Sequence, residues 1–136
     1  MASNNKKERG AVAVEMALLL PLLLLLLIGI MEFGRALNVQ ISLTEAAREG
    51  ARYAAVHYKD GGLNVSADAL ASAPSLSGLG VTVTDNAASC APGSNVTVTT
   101  RVSLPSMSGF LDAGFFGAPS IFPVSMRGVG VMRCGG

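Results

Sequence analysis

GAVAVEMALLLPLLLLLLIGIM, residues 10–31, carries a single charged side chain, Glu15. As a helix, residues 11–31 extend about 31 Å at 1.5 Å per residue, which matches the hydrocarbon thickness of a bilayer. The other reading of such a run is a buried core helix. A core helix keeps some polar edge or is wrapped on all sides, yet LLLPLLLLLLIGI has no polar face, and a chain of 136 residues has too little mass to enclose it. The stretch therefore reads as a transmembrane helix.

On its N-terminal side lies MASNNKKERG, residues 1–10, polar and without hydrophobic period. It reads as a disordered tail or a processed basic leader. Lys6, Lys7 and Arg9 crowd against the apolar run, whereas the first cation beyond it is the isolated Arg35. Positive charge stays on the cytoplasmic side, so the sequence predicts a single-pass membrane protein with its N-terminus in the cytoplasm and its C-terminal domain outside.

On the C-terminal side the helical period continues over residues 32–59, now with two faces. Arg35, Asn38, Ser42, Glu45, Glu49 and Arg52 recur at three- and four-residue steps as a wet face. Ala36, Val39, Leu43, Ala47, Gly50, Ala51, Ala54 and Tyr58 form an opposing stripe of small residues that lets a backbone or a sheet come close. Asp60-Gly61-Gly62 supplies the stop. Residues 60–136 then turn to Gly, Ser, Thr and Val, with a short helix expected from a Ser66 cap to about Ala73, ended by Pro74. Residues 81–84, 95–102 and 124–134 alternate as half-buried strands, with Ala91-Pro92-Gly93-Ser94 as a turn. Gly128 and Gly130 in the last strand imply a bulge or a close contact. The expected fold class is α+β: a long N-terminal helix, transmembrane in its first half and amphipathic in its second, packed on a small antiparallel β-sheet. Residues 105–123 read as a loop in which Phe110, Phe115, Phe116 and Phe122 are core or contact residues.

The formal charge of +1 excludes the broad basic surface of a nucleic-acid binder, and removal of residues 1–10 would leave about −1. Cys90 and Cys134 have neither zinc-ligand nor CxxC spacing, so no metal or redox cofactor is implied. Two readings of them stand: two reduced thiols, as in a cytosolic protein, or a disulfide, which the export signal favours. His57, the single histidine, has no Ser, Cys or Asp constellation around it and reads as a helix-end surface residue, so neither an enzyme nor a small-molecule substrate is expected.

A carboxylate five positions after a glycine, at the head of a membrane helix, is costly without a partner. Cleavage after Gly10 would create one: the free amine of Ala11 on a neighbouring subunit, meeting Glu15 in low dielectric. This pattern resembles the type IV prepilin signal, which an aspartyl prepilin peptidase cuts after the glycine. The resemblance continues through VEMALLLPLLLLLLIGIMEFGRAL and LTEAAREGARYAA to the TadE-like family, pseudopilins of the tight adherence (Flp) pilus, with Glu15, Pro21, Glu32, Gly34 and the block Ala47-Arg48-Glu49-Gly50-Ala51-Arg52. It implies a minor pilin or pseudopilin without enzymatic activity, whose partners are the bilayer, the prepilin peptidase, other pilin subunits and the assembly platform. Met16, where major Flp pilins have an aromatic residue, and the chain length both point away from the main shaft protein.

Competing readings are a Sec signal peptide cut near residue 35 and an uncleaved signal anchor carrying an extracellular binding or adhesion module outside any filament. The first lacks an A-x-A site and discards a helix whose period runs on to Tyr58. In the second, Glu15 is merely a boundary residue. For the Ala47 to Arg52 block, the plain reading is i,i+3 ion pairs on a solvated face.

Overall fold

A computed structural model of the chain describes residues 4–109, 111–112 and 119–135, with main chain alone over residues 4–9. Phe110, Phe115 and Phe116 lie outside the described residues. Phe122 is buried and precedes a cis bond to Pro123.

Helix α1, Asn4–Val56, is continuous through Pro21. Its start at Asn4 overturns disorder, the first of the two readings of residues 1–10. Lys6, Lys7, Glu8 and Arg9 are good helix formers, and once the apolar run has supplied the costly nucleus, extension backwards adds residues cheaply. Its end falls before the expected Lys59. The His57 ring Nδ1 donates to the Tyr53 carbonyl at 3.0 Å, and Asp60 N–H closes a turn onto His57, so the chain leaves the helix ahead of the glycine pair.

The chain divides into two compact units, Met1–Gly34 and Arg35–Gly136. In the second, strands β1 (Thr82–Asp85), β2 (Asn95–Leu104) and β3 (Val124–Arg133) form an antiparallel sheet in the order β1-β2-β3. The β2–β3 ladder is unbroken from Asn95↔Arg133 to Leu104↔Val124. Gly128 and Gly130 are therefore not a bulge. They are the point at which the second half of α1 lies on the sheet. A Cβ on Gly128 would overlap the Leu43 carbonyl, and one on Gly130 the Ala47 carbonyl. Two strand residues advance about 6.8 Å and four helix residues about 6.0 Å, so the two contacts repeat in step and the helix runs along β3.

The small-residue stripe is the buried face as expected: Leu43, Ala47, Ala51 and Ala54 are fully covered, together with Val96, Val98 and Leu104 from β2. Thr100, inward on β2 and also fully buried, donates its hydroxyl to the Leu43 carbonyl at 2.9 Å. One position assigned to the wet face is wrong. Ser42 is buried and shares a 2.8 Å hydroxyl contact with Ser75, because the 3-10 turn Pro74–Leu76 covers a second flank of the helix. The short helix α2 spans Val65–Ala71, and its cap is Asn64, whose side chain accepts from Ala67 N–H, rather than Ser66.

Candidate membrane and assembly segment

Between Gly10 and Met31 every described side chain is exposed or nearly so, including Leu18 at 74% and Leu22 at 65%. The most apolar stretch of the helix has a mean hydropathy of 2.7 and none of it is buried. Exposed leucine on all sides of a helix is stable only in an apolar solvent or against other apolar helices. One apolar helix near the N-terminus fits a single-pass membrane protein. Pro21 has no N–H, which leaves the Ala17 carbonyl without its usual donor one turn earlier. Around it, Met16, Leu19, Leu20, Leu22, Leu23 and Leu26 border an apolar recess of about 410 Å³.

Gly10, Ala11 and Glu15 lie on this one helix, all exposed, and a Cβ on Gly10 would meet nothing within 4 Å. Ala11 and Glu15 are separated by four residues and so share a face. In the intact chain the nitrogen of Ala11 is a helical amide, not a cation. Glycine at position 10 weakens the helix at that bond by about 1 kcal/mol relative to alanine.

Cys90 and Cys134 are joined as a disulfide with Cα atoms 5.8 Å apart. Cys90 follows the 3-10 turn Ala87–Ser89 in the β1–β2 connection and Cys134 follows β3 directly, so the bond ties that connection to the end of the last strand. Cys134 N–H donates to Ser94 and Gly93 N–H to the Cys134 carbonyl, which fixes the turn beside it. On the Ala47 to Arg52 block one ion pair forms among the described residues, Arg52 to Glu49 at 3.1 Å. Both side chains are well exposed, so the pair contributes a few tenths of a kcal/mol.

Other contacts escaped the sequence reading. Arg35, assigned to the wet face, donates to the Pro105 carbonyl at 3.0 Å, and Gln40 donates to the Arg127 carbonyl at 2.9 Å, anchoring the helix just past the end of β2 and within β3. No local pattern signals a side chain aimed at a backbone 70 or 87 residues away. Leu37 and Ile41, half exposed or more, form an i,i+4 apolar pair outside the buried stripe, and that spacing was visible.

A long helix, apolar and uncovered at its start and laid on a three-stranded antiparallel sheet at its end, defines an α+β protein whose N-terminal segment fits a single membrane span. The family model described as TadE-like protein matches residues 10–52, opening at Gly10 and closing within α1, so this segment is similar to TadE-like proteins. Neither a curated protein nor a solved structure matches the chain.

Proposed function

We propose that the chain is a TadE-like minor pilin or pseudopilin that supports assembly of a tight adherence pilus, processed after Gly10 by a prepilin peptidase. The observation that carries this reading is the position of Glu15: a lone carboxylate in an uncovered apolar helix, four residues beyond Ala11, within a TadE-like segment that opens at Gly10. In the bilayer that carboxylate needs a cation. Cleavage turns the Ala11 amide into an ammonium group. In an assembly the amine of one subunit meets Glu15 of the next, and the pair sets axial register between helices. Residues 1–10 and their three cations remain on the cytoplasmic side, and the disulfide-bonded sheet domain stands outside.

Intact-mass analysis of the membrane fraction tests processing. A mature chain beginning at Ala11 is expected, replaced by the full-length chain on Gly10→Val. An unprocessed wild-type chain in cells that contain the peptidase refutes the proposal in favour of a signal-anchored binding or adhesion module. Glu15→Ala is expected to stay in the membrane fraction while pilus output falls, and normal output in that variant would eliminate the ion pair.

A further inference from the structure

The sheet face turned away from α1 carries Arg101 directly opposite Arg127 across the β2–β3 ladder. One step along, Ser103 stands opposite Ser125, and on the other flank Thr82 of β1 pairs with Arg101. All five side chains are exposed, and together they border an open groove of about 460 Å³. The two arginines lie about 7 Å along the strands from the two serines, and each opposed pair is about 5 Å apart across the ladder.

Like charges directly opposite each other disfavour the sheet unless something neutralises them. Nothing in the described part of this face does. Its remaining strand positions are threonine, asparagine and valine, with Arg133 a third cation at the far end. Asp85 belongs to the other face, paired with Val98, and its carboxylate accepts from Ala87 N–H. Neither Arg101 nor Arg127 pairs with a carboxylate among the described residues, where Arg52–Glu49 is the ion pair formed.

Two planar guanidinium forks carried at directly opposed positions of adjacent strands, lining one groove, call for a ligand with several oxygens and close to two negative charges. A planar carboxylate occupies one fork and neutralises one charge. A phosphate monoester carries about −1.5 to −2 at pH 7 and offers three acceptor oxygens. Hydroxyl groups immediately around the arginine pair suit a water-borne anion better than an acyl surface. We propose that Arg101 and Arg127 form a binding site for a soluble phosphate monoester, with the Ser103 and Ser125 hydroxyls as further donors.

Glycerol phosphate is the probe, titrated at constant ionic strength into the isotope-labelled full chain in phosphatidylcholine nanodiscs and followed by NMR. Saturable shifts are expected at residues 101, 103, 125 and 127, stronger at pH 7.5 than at pH 5.5 because the second phosphate proton leaves near pH 6. Arg101→Gln and Arg127→Gln should each weaken binding by about tenfold or more, whereas Arg52→Gln should not. Arg101→Lys keeps the charge and loses the fork, so it should also weaken binding. Unchanged Val96 and Val98 amide positions verify that each variant is folded. Shifts that never saturate, or Arg101→Gln and Arg127→Gln variants that bind like the parent, overturn the site. Shifts produced by phosphatidic acid nanodiscs but not by glycerol phosphate overturn the soluble ligand.

Discussion

Replacing Gly128 or Gly130 by alanine adds one methyl group, and the structure assigns that methyl group to space already held by helix backbone. On Gly130 it meets the Ala47 carbonyl and comes within 2.6 Å of Arg48 N, and on Gly128 it meets the Leu43 carbonyl and comes within 2.7 Å of Thr44 N. Backbone atoms cannot turn aside as a side chain does, so α1 must lift from β3. Lifting it opens gaps beside Leu43, Ala47, Val98 and Thr100, all fully buried, and stretches the Thr100 to Leu43 hydrogen bond. Overpacking of this kind costs about 1–3 kcal/mol, and with no rotamer escape each substitution should reach at least about 2 kcal/mol. For a unit of this size the melting temperature should fall by about 10 °C or more. Gly50 is the internal control. A Cβ there lies 2.9 Å from the Ala69 Cβ and 3.3 Å from a Val98 methyl, an overlap far smaller than at Gly128 or Gly130 that a shift of a few tenths of an ångström in the short helix α2 relieves. Alanine at that helix-interior position also recovers about 1 kcal/mol of helix propensity, so Gly50→Ala should stay within about 1 kcal/mol of the parent. Both tyrosines, Tyr53 and Tyr58, lie in the second unit, so near-ultraviolet circular dichroism of the full chain in micelles follows its unfolding without interference from the apolar helix. If Gly128→Ala and Gly130→Ala melt within 3 °C of the parent, or if Gly50→Ala is the least stable of the three, the helix-on-glycine contact is wrong.

The same measurement checks two further predictions. Replacing both Cys90 and Cys134 by serine opens a loop with a sequence separation of 44 and should cost about 4 kcal/mol in the chain-entropy model, and the parent should lose about as much stability when reduced. A parent protein equally stable with and without reductant would contradict it. Thr100→Val keeps the shape and removes the hydroxyl that donates to Leu43, and should lower stability by about 1 kcal/mol, seen as a drop of about 4–8 °C. No change there would mean that the buried hydroxyl is not held by the helix.

The elements that depend on period were legible in the sequence, and those that depend on distant partners were not. The apolar run, the small-residue stripe and the three alternating strands each repeat over several residues, so a single exception does not obscure them. The close contact at Gly128 and Gly130 was one of two readings, and the ladder register decides between them. Ser42 looked wet because serine at a polar helical spacing carries no mark of the 3-10 turn that reaches it from 33 residues away. Asn64 and Ser66 are both good caps two residues apart, and composition alone does not choose. The opposed arginines needed the register as well: Arg101 and Arg127 become neighbours only when β3 pairs with β2, and a shift of one residue would place Gly128 there instead.

The size of the side chains along α1 records two different neighbours. From Val12 to Met31 the apolar residues are mostly leucine and uncovered, suited to a fluid solvent that conforms to any shape. From Ala36 to Ala54 the stripe is largely alanine and glycine, suited to a rigid partner that must come within backbone distance. Leucine at Ala47 would be as hydrophobic as the membrane segment and would still fail, because β3 presents bare glycine backbone there and leaves no volume for it. Alanine at Leu22 or Leu23 would remain helical but would shed apolar area from the bilayer-facing surface, at about 25 cal/mol per Å². Hydrophobicity alone therefore does not describe this helix. The TadE-like match, running from Gly10 to Arg52, spans both kinds of side chain along this one helix.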